Sequence, residues 1–143
     1  MTPKDKAEKI LKADRYAVMS GIELVDAAPG YAVCRMQITE NHLNANNSVQ
    51  GGAIFTLADT AFAMAANNQG NFTVSLNNSI SYLKNTRGNA LTATATLASS
   101  SKRICLYEVE VKDDLGELIA KMTGTGYIKS GKSPDQAEKI SAD

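Results

Sequence analysis

GGAIFTLADTAFAMAANNQG, residues 51–70, is the stretch on which the fold turns. Ile54, Leu57, Ala61, Met64 and Ala65 recur at the spacing that puts them on one stripe of a helix over 53–67, the body of a central helix of about residues 51–68. The positions between them, Ala53, Ala58, Phe62, Ala63 and Ala66, are also small or apolar. A helix that is apolar nearly all round is a buried helix, and its alanines let other elements approach closely. Asn67-Asn68-Gln69-Gly70 supplies the amide and glycine chemistry that ends it.

Beyond this helix the period changes from 3.6 to two. Val74, Leu76, Ile80 and Tyr82 alternate with Ser75, Asn77, Ser79 and Ser81. Leu91, Ala93, Ala95 and Leu97 alternate with threonines, and Cys105, Tyr107, Val109 and Val111 follow a polar loop at 99–103. Asp113-Asp114-Leu115-Gly116 reads as a hairpin turn into a last strand over 118–128. Upstream, residues 41–50 are asparagine-rich and aperiodic, a loop, and Ala32, Cys34, Met36 and Ile38 form the apolar face of a strand. Thr2-Pro3-Lys4-Asp5 is a capping-box pattern that opens a short helix of about three turns. The order is helix, strand, buried helix and four antiparallel strands. It predicts an α+β domain over 1–130 in which an antiparallel sheet curls around the central helix, followed by a polar tail over 131–143. One sheet face is too little cover for so apolar a helix, and a second copy of the chain is the natural complement.

Composition narrows the chemistry. The 143 residues hold 15 Lys plus Arg and 15 Asp plus Glu, a formal net charge of zero, which argues against a nucleic-acid binder. One histidine, His42, and two cysteines, Cys34 and Cys105, cannot build a zinc site or a disulfide scaffold, so no metal or cofactor is expected. Both cysteines fall in apolar strand patterns and read as inert core thiols of a cytoplasmic protein. No apolar run approaches the roughly 20 residues that span a bilayer.

Two features of the helix carry chemistry. Asp59 is a carboxylate in an apolar helix, either a structural aspartate satisfied by a neighbouring hydroxyl or amide, or a general base or nucleophile. Gly51 and Gly52 present unobstructed N–H groups at the positive end of the helix dipole, where an oxyanion is stabilised. Eight residues separate Gly51 from Asp59, about 12 Å along a helix, too far for one reacting carbon to touch both. Two antiparallel copies bring the glycine end of one to Asp59 of the other.

The stretch NHLNANNSVQGGAIFTLADTAFAMAANNQG (41–70) resembles the signature of PaaI-like hotdog-fold thioesterases, in which His-x-Asn, a short gap, His-Gly-Gly and Leu-Ala-Asp-Thr follow one another. Ile80-Ser81-Tyr82-Leu83-Lys84 and the final strand after Gly116 extend the resemblance over roughly residues 10–129. It implies a hotdog fold, homodimers paired into homotetramers, and hydrolysis of acyl-CoA thioesters. It also implies that Asp59 is the catalytic carboxylate, that Gly51, with Gly52 beside it, polarises the thioester carbonyl, and that Asn44 orients water or substrate. Gln50 stands where the family has histidine; it can donate a hydrogen bond but cannot become cationic. His42 matches the first histidine of the family pattern and reads as a loop residue holding backbone geometry.

If the substrate is a CoA ester, cations should edge the site, and Lys84, Arg87, Lys102 and Arg103 are the candidates, in or beside the loops flanking the strand over 91–98. Asn77 and Ser75 project from the polar face of the strand after the helix and are candidates to line the site. Three functions compete: an acyl-CoA thioesterase, an acyl-CoA-binding protein on the same fold with little or no catalysis, and, ranked last, a hydratase or dehydratase. The last needs a positioned histidine that Gln50 does not provide.

Overall fold

A computed structural model describes residues 1–129; the polar tail expected over 131–143 lies outside the described residues. Helix α1 (Pro3–Ala13) starts at the capping box read from sequence: Thr2 Oγ1 accepts from the Asp5 N–H, and the Asp5 carboxylate accepts from the Thr2 N–H. Its Ala7 and Leu11 are buried. There follow α2 (Arg15–Met19), β1 (Ile22–Ala28), β2 (Tyr31–Gln37), a 3₁₀ turn at Glu40–His42, α3 (Gly51–Ala66), β3 (Phe72–Tyr82), β4 (Ala90–Ser100), β5 (Ile104–Asp113) and β6 (Leu118–Lys129). All six strands form one antiparallel sheet in the order β1-β2-β4-β5-β6-β3.

The sheet takes α3 against its inner face, chiefly along β2 and β4. Ala58, Ala61 and Ala65 of α3 and Ala32, Ala93 and Ala95 of the strands are all buried, so small side chains stand on both sides of that contact. Larger residues fill the flanks: Leu57, Met64, Met36, Leu91 and Met122 are fully buried, and Phe62 meets Tyr107 edge to face, centroids 5.2 Å apart. Cys34 and Cys105 are free and buried in this core. Burial pushes the Cys34 thiol up to about 12, with the negative Glu8 adding to it.

The sequence pattern misses α2 and β1. Helix α2 is five residues long, too short to display a helical period. Strand β1 carries a bulge at Val25: Leu24 pairs with Cys34 and Asp26 with Val33, so alternation breaks in mid-strand. A second bulge corrects the reading of β3. Ser75 pairs with Gly126 and Asn77 with Thr125, leaving Leu76 as the extra residue, 57% exposed rather than on the apolar face. Before the bulge the inner face is Thr73 and Ser75; after it, Asn78 and Ile80, the latter opposite buried Met122.

Candidate functional site

The face of α3 that the sheet leaves uncovered runs through Gly52, Thr56, Asp59 and Ala63, one stripe at helical spacing in which none is buried. Thr56 Oγ1 donates to the Gly52 carbonyl (2.8 Å) and Thr60 Oγ1 to the Thr56 carbonyl (2.7 Å), so both hydroxyls are used within the helix. Asp59 is half-buried. Its Oδ1 accepts from Asn78 Nδ2 at 3.3 Å, and the same amide donates to Ser75 Oγ at 3.1 Å. Burial raises the Asp59 carboxyl above its ordinary 3.8; the Asn78 hydrogen bond pulls it down, and the negative Asp14 adds to the rise.

Asn78 is the residue that sequence reasoning missed. Strict alternation favours Asn77, but the Leu76 bulge reverses the phase of β3. Asn77 is exposed, and its backbone carbonyl accepts from Thr125 Oγ1 across the sheet. Asn78 has room because β6 carries Gly124 opposite it; a Cβ there would lie 2.6 Å from Asn78 Oδ1. A doubled asparagine facing a glycine was the available signal, but only the register makes it visible.

At the N-terminus of α3 the hydrogen bonds are unequal. Gln50 caps the helix with its own side chain: Oε1 accepts from the Gly52 N–H at 3.2 Å. The Gln50 carbonyl accepts from Ala53 and Ile54, which holds the Gln50–Gly51 peptide firmly, while the Gly51 N–H of that peptide has no partner among the described residues. Tyr82, at the end of β3, donates its hydroxyl to the Gly51 carbonyl at 3.0 Å. Its ring packs closely on Gly51, where an added Cβ would come within 3.2 Å of it.

The loop before α3 is held by its own polar groups. Asn44 Oδ1 accepts from the Asn46 and Ser48 N–H groups, so its carbonyl end is committed to the turn. His42 is buried and structural in geometry: Nδ1 accepts from the Thr39 N–H at 3.0 Å, which requires Nε2 to carry the hydrogen it donates to the Ser20 carbonyl at 2.7 Å.

Two grooves lie against this helix end. One, about 400 Å³, contains Gly51, Val49, Ile54, Tyr82 and Lys84. The other, about 410 Å³, contains Gly52, Gln50, Ala53 and Thr56 and is walled by α2. The four candidate cations do not converge. Lys84 and Arg87 lie before β4, and Lys102 and Arg103 after its far end, separated by an eleven-residue strand, about 36 Å. Lys84 pairs with Glu117 at 2.8 Å and Arg103 donates to the Tyr127 hydroxyl at 2.9 Å, both cations exposed.

The Thioesterase superfamily profile matches residues 46–120, which span the end of the loop, α3, β3 to β5 and the start of β6. The chain belongs to this superfamily. PaaI, an acyl-coenzyme A thioesterase of Escherichia coli, is 33% identical over 132 residues, 92% of this chain and 94% of that protein. Human acyl-coenzyme A thioesterase 13 is 31% identical over 78% of this chain and 82% of that protein. The solved E. coli PaaI structure superposes with a TM-score of 0.86 at 32% identity, covering 90% of this chain and 94% of that one. A Streptococcus mutans protein solved bound to acetyl CoA matches at TM-score 0.73 and 26% identity, over 78% and 90% of the two chains. The protein is thus a PaaI-like hotdog-fold thioesterase. Among the described residues, no helix is long and apolar enough to cross a membrane.

Proposed function

We propose that the protein hydrolyses acyl-CoA thioesters at sites shared between two copies of the chain. The observation that carries this is the separation of two groups on one rigid helix. The unpartnered Gly51 N–H and the Asp59 carboxylate are eight residues apart, about 12 Å, so a single α3 cannot present both to one carbonyl carbon. Among the described residues, strand β3 ends the sheet with one edge unpaired over eleven residues, a surface on which a second β3 can add and bring the α3 helices together antiparallel. The named activities of PaaI and thioesterase 13 and the acetyl CoA in the Streptococcus mutans structure support CoA esters as the substrate class.

In this reading the thioester oxygen accepts from the Gly51 N–H, whose donor strength is raised by the helix dipole. Asp59 of the other copy either takes a proton from a water that attacks the carbonyl carbon, or attacks it directly. Collapse of the tetrahedral intermediate expels the CoA thiolate, which takes up the proton held by Asp59 in the water route or one from solvent in the direct route. The direct route also leaves an acyl anhydride on Asp59 that water must hydrolyse to release the acid. Asn78 holds the carboxylate, and Gln50 Nε2 and Asn44 Nδ2 donate to the thioester or the water. Lys84 and Arg87 lie on the side from which CoA phosphates approach, with Lys102 and Arg103 at the opposite end of the sheet, where another copy's ligand can reach them. Pairing of dimers into a homotetramer and a cytoplasmic location belong to the same reading.

The test mixes two inactive chains. Asp59→Ala removes the carboxylate, and Gly51→Pro removes the N–H with little backbone change, since Gln50 (φ −59°, ψ 133°) already adopts the conformation that precedes proline, and the exposed Tyr82 ring need give way only slightly to the new Cβ. Refolded together, they should regain about a quarter of wild-type turnover, from one intact site in each mixed dimer. No recovery refutes a shared site. A second reading, an acyl-CoA binder with little turnover, is favoured by Gln50 Oε1 resting on the Gly52 N–H. It predicts equal inactivity of wild type and Asp59→Asn, with binding retained by both.

A further inference from the structure

Glycine is the residue least able to fix its own backbone, yet α3 begins at Gly51, whose N–H is the donor left over at the helix end. The two peptide planes that meet there swivel unless groups outside the helix hold them. Both are held. Before Gly51, the Gln50 N–H donates to the His42 carbonyl at 2.8 Å, and the Gln50 carbonyl accepts from Ala53 and Ile54. The C=O and N–H of a trans peptide point opposite ways, so this arrangement turns the Gly51 N–H back along the axis, out of the helix end. His42 is itself anchored. It is 8% exposed, its Nδ1 accepts from the Thr39 N–H, and its Nε2 donates to the carbonyl of Ser20, the residue that ends α2. Leu43 bridges Val49 and the Asn44 N–H donates to the Ser48 carbonyl, so residues 42–50 form a short ladder with His42 at its base. After Gly51, the Tyr82 hydroxyl donates to the Gly51 carbonyl at 3.0 Å, and the Tyr82 ring packs on the glycine.

Resting on the reading that the Gly51 N–H receives the thioester oxygen, we infer that His42 and Tyr82 are positioning residues for the reaction. One acts on the peptide before Gly51 and the other on the peptide after it, and together they fix the direction of that N–H. Their own hydrogen bonds fit this role. The Nε2 hydrogen of His42 and the hydroxyl hydrogen of Tyr82 are both spent on backbone carbonyls, which leaves neither side chain a proton to donate to the thioester. The role matters because a hydrogen bond weakens steeply off its axis, and an oxyanion donor works only when aimed where the charge develops. A Gly51 that swivels therefore loses transition-state stabilisation while ground-state binding is kept.

The experiment uses three conservative variants and the acyl-CoA that wild type turns over fastest in a panel from acetyl-CoA to decanoyl-CoA. Tyr82→Phe keeps the ring and removes the hydroxyl. His42→Asn keeps an acceptor where Nδ1 lies and loses the reach to the Ser20 carbonyl, which His42→Gln restores. Per folded molecule, kcat should fall about fivefold in Tyr82→Phe and about tenfold in His42→Asn, with KM within about twofold of wild type. His42→Gln should stay within about threefold of wild-type kcat. In ¹⁵N relaxation of the labelled protein, the Gly51 N–H order parameter should drop from about 0.85 toward about 0.6 in the two impaired variants, with the β4 amides unchanged. Wild-type kcat or wild-type Gly51 order in Tyr82→Phe overturns the assignment. So does a raised KM at unchanged kcat, which would make Tyr82 a substrate contact. If His42→Asn does not fold, Tyr82→Phe and His42→Gln decide by the same criteria. If wild type turns over no ester in the panel, the hydrolytic reading fails alone, and the Gly51 order parameters decide the clamp.

Discussion

The two ends of α3 are both rich in side-chain amides, yet they use them in opposite ways. At the C-terminal end the amides bond to backbone groups of the helix and of the neighbouring strands. Asn67 donates to the Ala63 carbonyl and accepts from the Thr73 N–H at 2.7 Å. Asn68 donates to the Ala28 and Tyr31 carbonyls, tying the helix end to the β1–β2 hairpin, and Asn71 donates to the Ala66 carbonyl. At the N-terminal end, Asn44 serves its own loop, Gln50 takes the Gly52 N–H, and the neighbouring Gly51 N–H is left open between two grooves. A helix end filled by side chains is a joint, whereas one with a donor left over at the positive pole is free to meet an anion or a developing oxyanion. The same residue type serves both, so composition alone does not separate them.

Substitutions at the two ends should therefore separate activity from stability. The largest effect is expected from Asp59→Asn, which keeps the shape and the bond to Asn78 and removes the proposed base or nucleophile. Turnover should fall about 10²–10⁴-fold with the circular dichroism spectrum unchanged. Because burial raises the wild-type carboxyl above 3.8 and the proposed reaction uses its ionised form, wild-type kcat/KM should fall as pH drops through a value above 3.8. A pH-rate profile whose acid limb lies at or below 3.8 contradicts this.

Next in size is Gly124→Ala. Its Cβ would meet Asn78 Oδ1 at 2.6 Å and the Phe62 ring at 3.1 Å, so Asn78 must move off Asp59. We expect about tenfold lower kcat, an acid limb shifted upward, and about 1–3 kcal/mol lost in denaturant unfolding. Retained kcat with only a stability loss would show that Asn78 does not support the carboxylate.

Asn68→Ala, at the closed end, should do the reverse. It leaves the Ala28 and Tyr31 carbonyls without their donor, for a loss of about 2 kcal/mol, while kcat per folded molecule stays the same. Unfolding must be compared at one protein concentration, since association contributes to stability. A change in kcat would mean that the two ends are not independent.

The parts legible in sequence are those governed by a local period or a short motif. Leu57, Ala61 and Met64 announce α3, Thr2 and Asp5 announce α1, and Cys105 to Val111 announce β5, because each pattern is complete within one element. Asp59, Gly51 and Gln50 stand out for the same reason, as exceptions to an otherwise uniform helix. Asn78 does not, because the Leu76 bulge reverses the face of every following residue, and a bulge is fixed by the partner strand. Strand β1 is hidden by its own bulge at Val25.

The sequence by itself thus determined the buried helix, the antiparallel strands that follow it, and the arithmetic that keeps Gly51 and Asp59 about 12 Å apart. These depend only on neighbours along the chain. Tertiary structure decided which asparagine reaches Asp59, which N–H at the helix end stays open, and that Lys84 and Arg103 stand at opposite ends of a strand. Those facts depend on register and on side chains brought together from distant positions, where a one-residue bulge or a single competing hydrogen bond changes the outcome.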